Sequence, residues 1–307
     1  MTRLFTEKSP TLPEPDLSSS PNHRLQAWLL LILVALIWGT SFILIKHSLT
    51  AFSAIQVGTG RIFLALVFFL PYLLVRRNQF PRDRWLPLLG SGALGYLIPA
   101  MLFATAGAHL NSSLAGTLNA LSPLFTFLIG VLLFGRRAKL LQVGGILLGF
   151  AGSVFLVFFS ATGSFSYNGY AFLIVLATLF YGFNINIVSR YLSDLPALLS
   201  TASTFAMVGP IALLGLATTD FPTRAAAPGS TPALLMLITL GMIGSGFATI
   251  LFNRVIQLTS AVFASTVTYL IPVVAVVWGL FDGEPLHWPQ VAGMGICLLG
   301  VYLINKK

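Results

Sequence analysis

Three basic residues lie within or at the ends of long apolar stretches of this sequence, where a charge is costly. Lys46 and Arg254 are close to the ends of their stretches, from which a long side chain reaches water. Arg61 is about eight residues inside its stretch, and no apolar stretch contains an aspartate or glutamate. The Arg61 guanidinium therefore needs backbone carbonyls, a neighbouring helix end, water or a substrate anion as its partner. The sequence leaves these alternatives open.

Polar and aromatic side chains at similar depth form a second group of candidates. A buried amide requires hydrogen-bonding partners, so the two asparagines are the stronger candidates of this group. The aromatic residues have the alternative of packing against lipid or other helices. The group comprises Trp38, Tyr96, Asn119, Tyr181, Asn184, Ser245, Thr268 and Tyr269.

Two prolines, Pro123 and Pro272, lie close to the middle of their apolar stretches. Each removes a helical hydrogen bond and frees a carbonyl group. Such breaks are tolerated in a membrane where they face protein or a watery cavity. They predict either a hinge or cavity kink, or a kink that serves packing alone.

The residues needed for several other chemistries are missing. His23, His47, His109 and His287 all lie at the ends of apolar stretches or between them, so a proton relay has no obvious carrier. We favour facilitated diffusion or exchange, with relay through a helix-end histidine as the alternative. The phosphate-binding pattern G-x-x-x-x-G-K-[ST] does not occur. We expect no catalytic residue, no metal site and no cofactor.

Composition identifies the elements that must position these residues. The chain has 307 residues, of which 56% are hydrophobic and 8% charged, and its mean hydropathy is +0.90. Soluble domains carry about 25% charged residues, so a soluble enzyme or a disordered protein is excluded. The net charge of +9 is spread over short clusters between apolar stretches, which argues against nucleic acid as a partner.

Apolar runs of about 18 residues or more predict an all-α integral membrane protein with ten transmembrane helices. Residues 1–24, which contain four prolines and show no apolar periodicity, predict a disordered tail. The predicted spans are about 25–47, 53–75, 85–107, 112–134, 140–159, 168–190, 195–217, 232–256, 260–281 and 288–305.

The charges between the spans set the predicted orientation. With ten spans, 13 lysines and arginines fall on one side of the membrane and Arg224 alone on the other. Basic residues favour the cytoplasmic side. Both the N- and the C-terminus are therefore predicted to be cytoplasmic.

An internal repeat divides the chain into residues 25–159 and 160–307. Matching residues recur in the same order in both segments, at offsets that differ by only a few positions. The pairs include Trp38/Tyr181, Gly39/Gly182, Gly92/Gly241, Gly95/Gly244, Pro123/Pro272 and the frame Q-V-x-G at 142–145 and 290–293. Five helices per half would insert the second half upside down, giving two inverted five-helix repeats of the kind found in alternating-access transporters.

Several stretches resemble the drug/metabolite transporter superfamily, in the group with two EamA-type repeats. They are A-L-I-W-G-T-S-F in the first span, G-T-G-R-I-F-L-A-L around Arg61, L-N-A-L-S-P-L-F-T-F-L-I-G-V-L-L-F-G at 118–135, and Y-L-I-P-V-V-A-V-V-W-G-L-F-D-G-E ending at Glu284. The resemblance implies helices around a central cavity, lined by the polar and aromatic group above. The family often carries a glutamate after the glycine that ends the fourth span and again after the glycine that ends the ninth. Here Glu284 occupies the second of these positions, but Arg136 occupies the first. A structural or topological role is therefore expected for this position.

These features together predict a multi-pass carrier of a bacterial inner membrane. Its expected partners are membrane lipid and a small-molecule solute, with amino acids or related compounds favoured and export as the favoured direction. Alternating access without ATP hydrolysis is the expected mechanism, and a monomer is compatible with the sequence. A proton-coupled multidrug or metabolite exporter is the alternative, followed by an intramembrane enzyme or a channel.

Overall fold

The computed structural model describes residues 21–135, 140–158, 169–259, 261–265 and 267–305. All regular secondary structure in these ranges is helical. Arg136 and residues 1–20 of the predicted tail lie outside the described residues. The first helix begins at Pro21, inside the segment predicted as tail. Proline suits the first turn of a helix, where its missing N–H would have no partner.

Eight helices of the described chain are long and apolar enough to cross a membrane. They are α1 (Leu25–Ser48, extended back to Pro21), α2 (Ala54–Val75), α3 (Arg82–Gly107), α4 (Ser112–Phe134), α6 (Ala171–Leu192), α7 (Ala197–Ala217), α8 (Thr231–Leu258) and α9 (Phe263–Phe281). Two further helices, α5 (Leu140–Phe158) and α10 (Trp288–Asn305), contain the shorter apolar stretches Val143–Gly152 and Val291–Gly300. The described part of the chain is thus that of a helical integral membrane protein.

Polar residues in the short connections determine where the helices begin. Ser53 and Gln56 form a capping box at the start of α2, with Ser53 N donating to Gln56 Oε1 at 2.9 Å. Asn111 caps α4 by accepting a hydrogen bond from Leu114 N at 2.8 Å. Gly135 ends α4 with φ of 67°, a left-handed conformation that favours glycine.

The long connection predicted at 218–231 contains a short helical turn, Phe221–Ala225, with Pro222 in its first turn. Asp220 ties this connection to α2, because its Oδ1 accepts a hydrogen bond from Gln56 Nε2 at 2.8 Å. Its Oδ2 accepts from Arg224 Nε at 2.9 Å. The Arg224 guanidinium accordingly holds the pKa of the Asp220 carboxyl below its ordinary value.

The principal helix contacts pair elements from the two segments of the predicted repeat. Helix α1 packs against α9, and α6 packs against α4. Helices α2 and α7 pack together, as do α5 and α10. Exchange of the two predicted segments would turn the α1–α9 contact into the α6–α4 contact. The core at these contacts is built from buried Leu, Ile, Val, Ala and Phe side chains.

Two glycines at matching positions allow close approaches in two of these pairs. A methyl group at Gly39 would lie 2.4 Å from Val274 Cβ on α9. A methyl group at Gly182 would lie 2.7 Å from the carbonyl carbon of Phe125 on α4. Small residues at helix interfaces let backbones approach in this way. Glycine at these positions is therefore required by packing.

Replacing Gly182 by alanine is expected to destabilise the protein. The new methyl group would meet backbone atoms of Phe125, which cannot move without shifting α4, and overpacking of this kind costs about 1–3 kcal/mol. Thermal unfolding of the detergent-solubilised protein would measure the loss. Gly144→Ala is the matched control, since a methyl group at Gly144 meets nothing within 4 Å. Equal melting temperatures for the two variants would contradict the prediction.

Three helices depart from regular α-helical geometry near their centres. Ala93–Leu97 of α3 and Leu240–Phe247 of α8 are π-helical. These segments contain or adjoin the paired glycines at 92, 95, 241 and 244. In α4, the segment Asn119–Leu121 is 3-10 helical, and the α-helix resumes at Ser122, one residue before Pro123. Pro272 lies within α9. The proposed hinge role of the two prolines remains a prediction.

Candidate functional site

A cavity lies among helices α1, α2, α3, α4, α6, α8 and α9. Its wall combines apolar side chains, such as Phe42 and Phe103, with polar ones. Eight of the nine predicted substrate-binding residues line it: Trp38, Arg61, Tyr96, Asn119, Tyr181, Asn184, Ser245 and Thr268. The side chain of Tyr269 lies outside the described residues. Pro123 and Pro272 are not among the lining residues.

Four further polar residues of the cavity wall were not predicted from the sequence. Ser41 and Ser122 follow Trp38 and Asn119 by three positions, Thr249 follows Ser245 by four, and Ser265 precedes Thr268 by three. Residues three or four apart share a helix face. Helical spacing from the predicted residues would therefore have identified all four.

Trp38 links α1 to the π-helical segment of α8. Its indole Nε1 donates a hydrogen bond to the Gly244 carbonyl oxygen at 2.9 Å. The Trp38 ring lies against Phe252, with ring centroids 4.8 Å apart. Because a π-turn departs from the regular α-helical hydrogen-bonding pattern, its carbonyl oxygens can accept hydrogen bonds from side chains. The polar edge of Trp38 is thus held by the backbone, and its ring forms part of the cavity wall.

The two asparagines have partners within the protein. Asn184 Oδ1 accepts a hydrogen bond from Ser91 Oγ at 2.6 Å, and the Tyr96 side chain interacts with Asn184 and Thr249. The Asn119 side chain accepts through Oδ1 from Ser122 Oγ at 3.4 Å, and the same hydroxyl lies 2.8 Å from the Asn119 main-chain oxygen. Asn184 therefore belongs to a polar network that joins α3, α6 and α8 at the cavity.

Arg61 is the only basic residue among the described residues that line the cavity. Its Nε donates a hydrogen bond to Ser245 Oγ at 2.9 Å, and Ser245 Oγ in turn donates to the Leu240 carbonyl oxygen at 3.3 Å. No ion pair joins Arg61 to a carboxylate of the described chain. The Arg61 guanidinium is thus positioned by the neutral Ser245 hydroxyl, and no carboxylate of the described chain pairs with its charge.

Lys46, in contrast, has carboxylate partners that the sequence did not predict. Its Nζ lies 2.8 Å from Glu284 Oε1 and 2.5 Å from Asp282 Oδ2. His47 Nε2 lies 3.1 Å from Asp282 Oδ1. The Lys46 side chain is 38% exposed, so it reaches water as well as these two carboxylates. Arg254 does lie exposed, and its Nη1 contacts Gln257 Oε1 of the same helix at 3.5 Å.

Glu284 joins three elements of the fold at the Lys46 end of the cavity. Its Oε1 accepts a hydrogen bond from Ser112 N at 3.0 Å, and its Oε2 accepts from Ser113 N at 3.1 Å and Ser113 Oγ at 3.0 Å. The side chain is only 4% exposed. The Glu284 carboxylate caps α4 and binds α1 through Lys46. These contacts are structural, in agreement with the role expected for this position.

The surroundings of Glu284 favour its charged form. Burial alone would raise the pKa of this carboxyl. The hydrogen bond from Lys46 and those from the Ser112 and Ser113 amides outweigh burial and hold the pKa below its ordinary value. The Lys46 ammonium likewise lowers the pKa of Asp282. Both groups carry a negative charge near neutral pH.

A bundle of apolar helices around a central cavity of mixed apolar and polar lining has the form of a helical membrane transporter. The sequence model of the EamA-like transporter family matches residues 25–158 and 168–306. The chain belongs to this family, and with it to the drug/metabolite transporter superfamily. It is a multi-pass inner-membrane protein, and its family points to a transporter rather than an enzyme.

Individual relatives agree with this family. The "Uncharacterized inner membrane transporter YedA" of Escherichia coli K12 is 28% identical over 276 residues, covering 88% of this chain and 87% of the relative. An "Uncharacterized transporter" of Archaeoglobus fulgidus is 24% identical, covering 92% of this chain and all of the relative. The "Probable terminal-alkyne amino-acid exporter" of Streptantibioticus cattleyicolor is 25% identical, covering 90% and 92%.

The fold recurs in a solved structure. A crystal structure with 18% sequence identity superposes with a TM-score of 0.64. The superposition covers 91% of this chain and 96% of the other. At this identity the likeness concerns the fold alone.

Proposed function

We propose that the protein is a carrier that exports small metabolites bearing a carboxylate, foremost amino acids, by alternating access without ATP hydrolysis. The observation that carries this proposal is the unpaired guanidinium of Arg61 in the wall of the central cavity. A guanidinium binds a carboxylate through two parallel hydrogen bonds. With Nε directed to Ser245, the terminal nitrogens of Arg61 are the donors that a solute would meet.

The rest of the cavity wall suits a small solute with one charged end and one apolar end. Phe42, Phe103 and Phe252 supply apolar surface. Polar groups near Asn184 and Tyr96 supply hydrogen bonds on other helices. An apolar site with a few placed polar groups is the usual form of a small-molecule site. The printed name of the Streptantibioticus relative, an amino-acid exporter, agrees with this class of solute.

We further propose ten transmembrane helices in two inverted halves, residues 25–159 and 160–307, after a tail at 1–24. Both termini would be cytoplasmic. The paired packing of α1 with α9 and of α4 with α6 supports this arrangement, as do the π-helical segments at matching places in α3 and α8. Inverted halves of this kind place a solute site between them, and alternating access follows from one half moving against the other.

We favour exchange or facilitated diffusion over proton coupling. No aspartate, glutamate or histidine belongs to the described residues that line the cavity. Proton-coupled carriers place such groups along the solute path. A histidine at a helix end, such as His47 beside Asp282, remains the alternative proton carrier.

Exchange in proteoliposomes tests the proposed function. Vesicles containing the purified protein would be loaded with mixed amino acids, and entry of labelled amino acids would be followed with and without an imposed proton gradient. We expect entry that needs the internal amino acids and not the gradient. Entry only with the gradient would contradict the uncoupled mechanism. No entry under either condition, with folded protein verified, would eliminate amino acids as substrates.

A further inference from the structure

A second pocket lies at the end of α2, between the connection to α3 and the facing surface of α7. Three arginines line it, Arg76, Arg77 and Arg82, together with Tyr72 and Phe80. This end of α2 is cytoplasmic in the topology proposed above. We propose that the pocket binds the phosphate headgroup of an anionic phospholipid, a site separate from the central cavity.

The three arginines have no carboxylate partner in the described chain, which distinguishes them from Arg84 in the first turn of α3. Arg84 pairs with Asp83 at 3.1 Å and with Asp194 at 3.0 Å. No such ion pair is made by Arg76, Arg77 or Arg82 among the described residues. Three unneutralised guanidinium groups around one pocket form an electrostatic site for an anion, and their fork geometry suits phosphate.

A buried hydroxyl in the pocket wall supplies the second, independent observation. Ser203 of α7 lines the pocket, is 0% exposed and has no hydrogen-bond partner for its Oγ. Its neighbours Thr201 and Thr204 instead donate to the carbonyl oxygens of Ala197 and Ser200, four residues earlier. A buried polar atom without a partner is costly. A phosphate oxygen held by the arginines would be an acceptor for the Ser203 hydroxyl.

The surroundings of the pocket favour a lipid over a soluble phosphate compound. Leu73, Leu199 and Ala206 form its apolar wall. Next to it, at the end of the membrane-spanning helix α2, Leu74 and Val75 are 66% and 80% exposed. Apolar surface of this kind is covered by acyl chains in a bilayer. A phospholipid can place its chains on this surface and its phosphate among the arginines, and basic pockets between membrane helices bind anionic headgroups in this way.

Lipid titration of the purified full-length protein, monitored by native mass spectrometry, tests the proposal. Phosphatidylglycerol should bind at a saturable site, and phosphatidylcholine should bind at least about tenfold more weakly. The variant with Arg76, Arg77 and Arg82 all replaced by glutamine should lose this preference. Ser203→Ala should weaken phosphatidylglycerol binding severalfold. The matched control replaces two exposed arginines elsewhere, Arg190→Gln with Arg254→Gln, and should bind as the wild type does.

Two results would overturn the proposal. If the control variant loses as much affinity as the triple variant, the binding reflects net charge and no defined site exists. If glycerol phosphate competes at the same concentration as phosphatidylglycerol, the pocket binds a soluble phosphate and the lipid assignment is wrong. Thermal unfolding without added lipid verifies that the variants are folded, and transport is not needed for either readout. Failure here would therefore leave the proposed carrier function untouched.

Discussion

Replacing Arg61 by glutamine is expected to raise the KM for a carboxylate-bearing substrate by about 10- to 100-fold. Hydrogen bonds to a charged partner contribute about 1.5–3 kcal/mol, and each 1.4 kcal/mol corresponds to a factor of ten. Glutamine retains a donor but removes the charge and the paired N–H groups. Lysine keeps the charge without the fork, so Arg61→Lys should recover part of the affinity.

Selectivity gives a sharper measurement than rate alone. The wild type should prefer an amino acid to its amide, which lacks the negative charge, and Arg61→Gln should transport the two about equally. Arg254→Gln removes an exposed arginine at the end of α8 and serves as the control. If Arg61→Gln keeps the wild-type preference while folding normally, Arg61 has a structural role and does not bind the carboxylate.

Replacing Glu284 by glutamine is expected to lower the free energy of unfolding by about 2 kcal/mol. The substitution keeps the shape of the side chain but removes a buried charge that accepts hydrogen bonds from Lys46 and from Ser112 and Ser113. Denaturation of the detergent-solubilised protein would measure the change. Asp83→Asn also removes a carboxylate from an ion pair, but Asp83 is 75% exposed, and exposed pairs contribute little. A loss for Asp83→Asn as large as that for Glu284→Gln would contradict this account.

Glu284 and Asp282 should also affect how the stability of the protein falls in acid. Because the folded pKa values of Glu284 and Asp282 lie below their ordinary values, their contribution to stability is fully present above about pH 5, where both groups are also ionised in the unfolded chain. It is lost as the pH falls through the lower folded values. The wild type should therefore lose stability in this range more steeply than Glu284→Gln does.

Most of the polar residues of the cavity wall could be predicted because polar residues are conspicuous in the apolar stretches of a membrane protein. Trp38, Tyr96 and Asn184 are recognisable as polar or aromatic residues inside apolar stretches, and helical periodicity brings them to shared faces. Ser41 and Thr249 escaped prediction although the same spacing indicates them. Serine and threonine are common in membrane helices, where they can bond to their own backbone, so their type alone is a weak signal.

The partners of the charged residues could not be predicted. Lys46 and Glu284 are separated by 238 positions, and Arg61 and Ser245 by 184. No local periodicity links residues so far apart. Glu284 lies outside the apolar stretches, in a turn after α9 that Gly283 makes possible with φ of 76°. Its position became clear only from the packing of α1, α4 and α9.

The π-helical segments in α3 and α8 bear on the history of the chain. A π-turn holds one more residue than an α-turn, so each segment records a residue added to an otherwise regular helix. The two lie next to glycine pairs that match between the halves, Gly92 and Gly95 in one and Gly241 and Gly244 in the other. If the two halves arose by duplication of a sequence of half the length, a single insertion before the duplication would leave one such segment in each half.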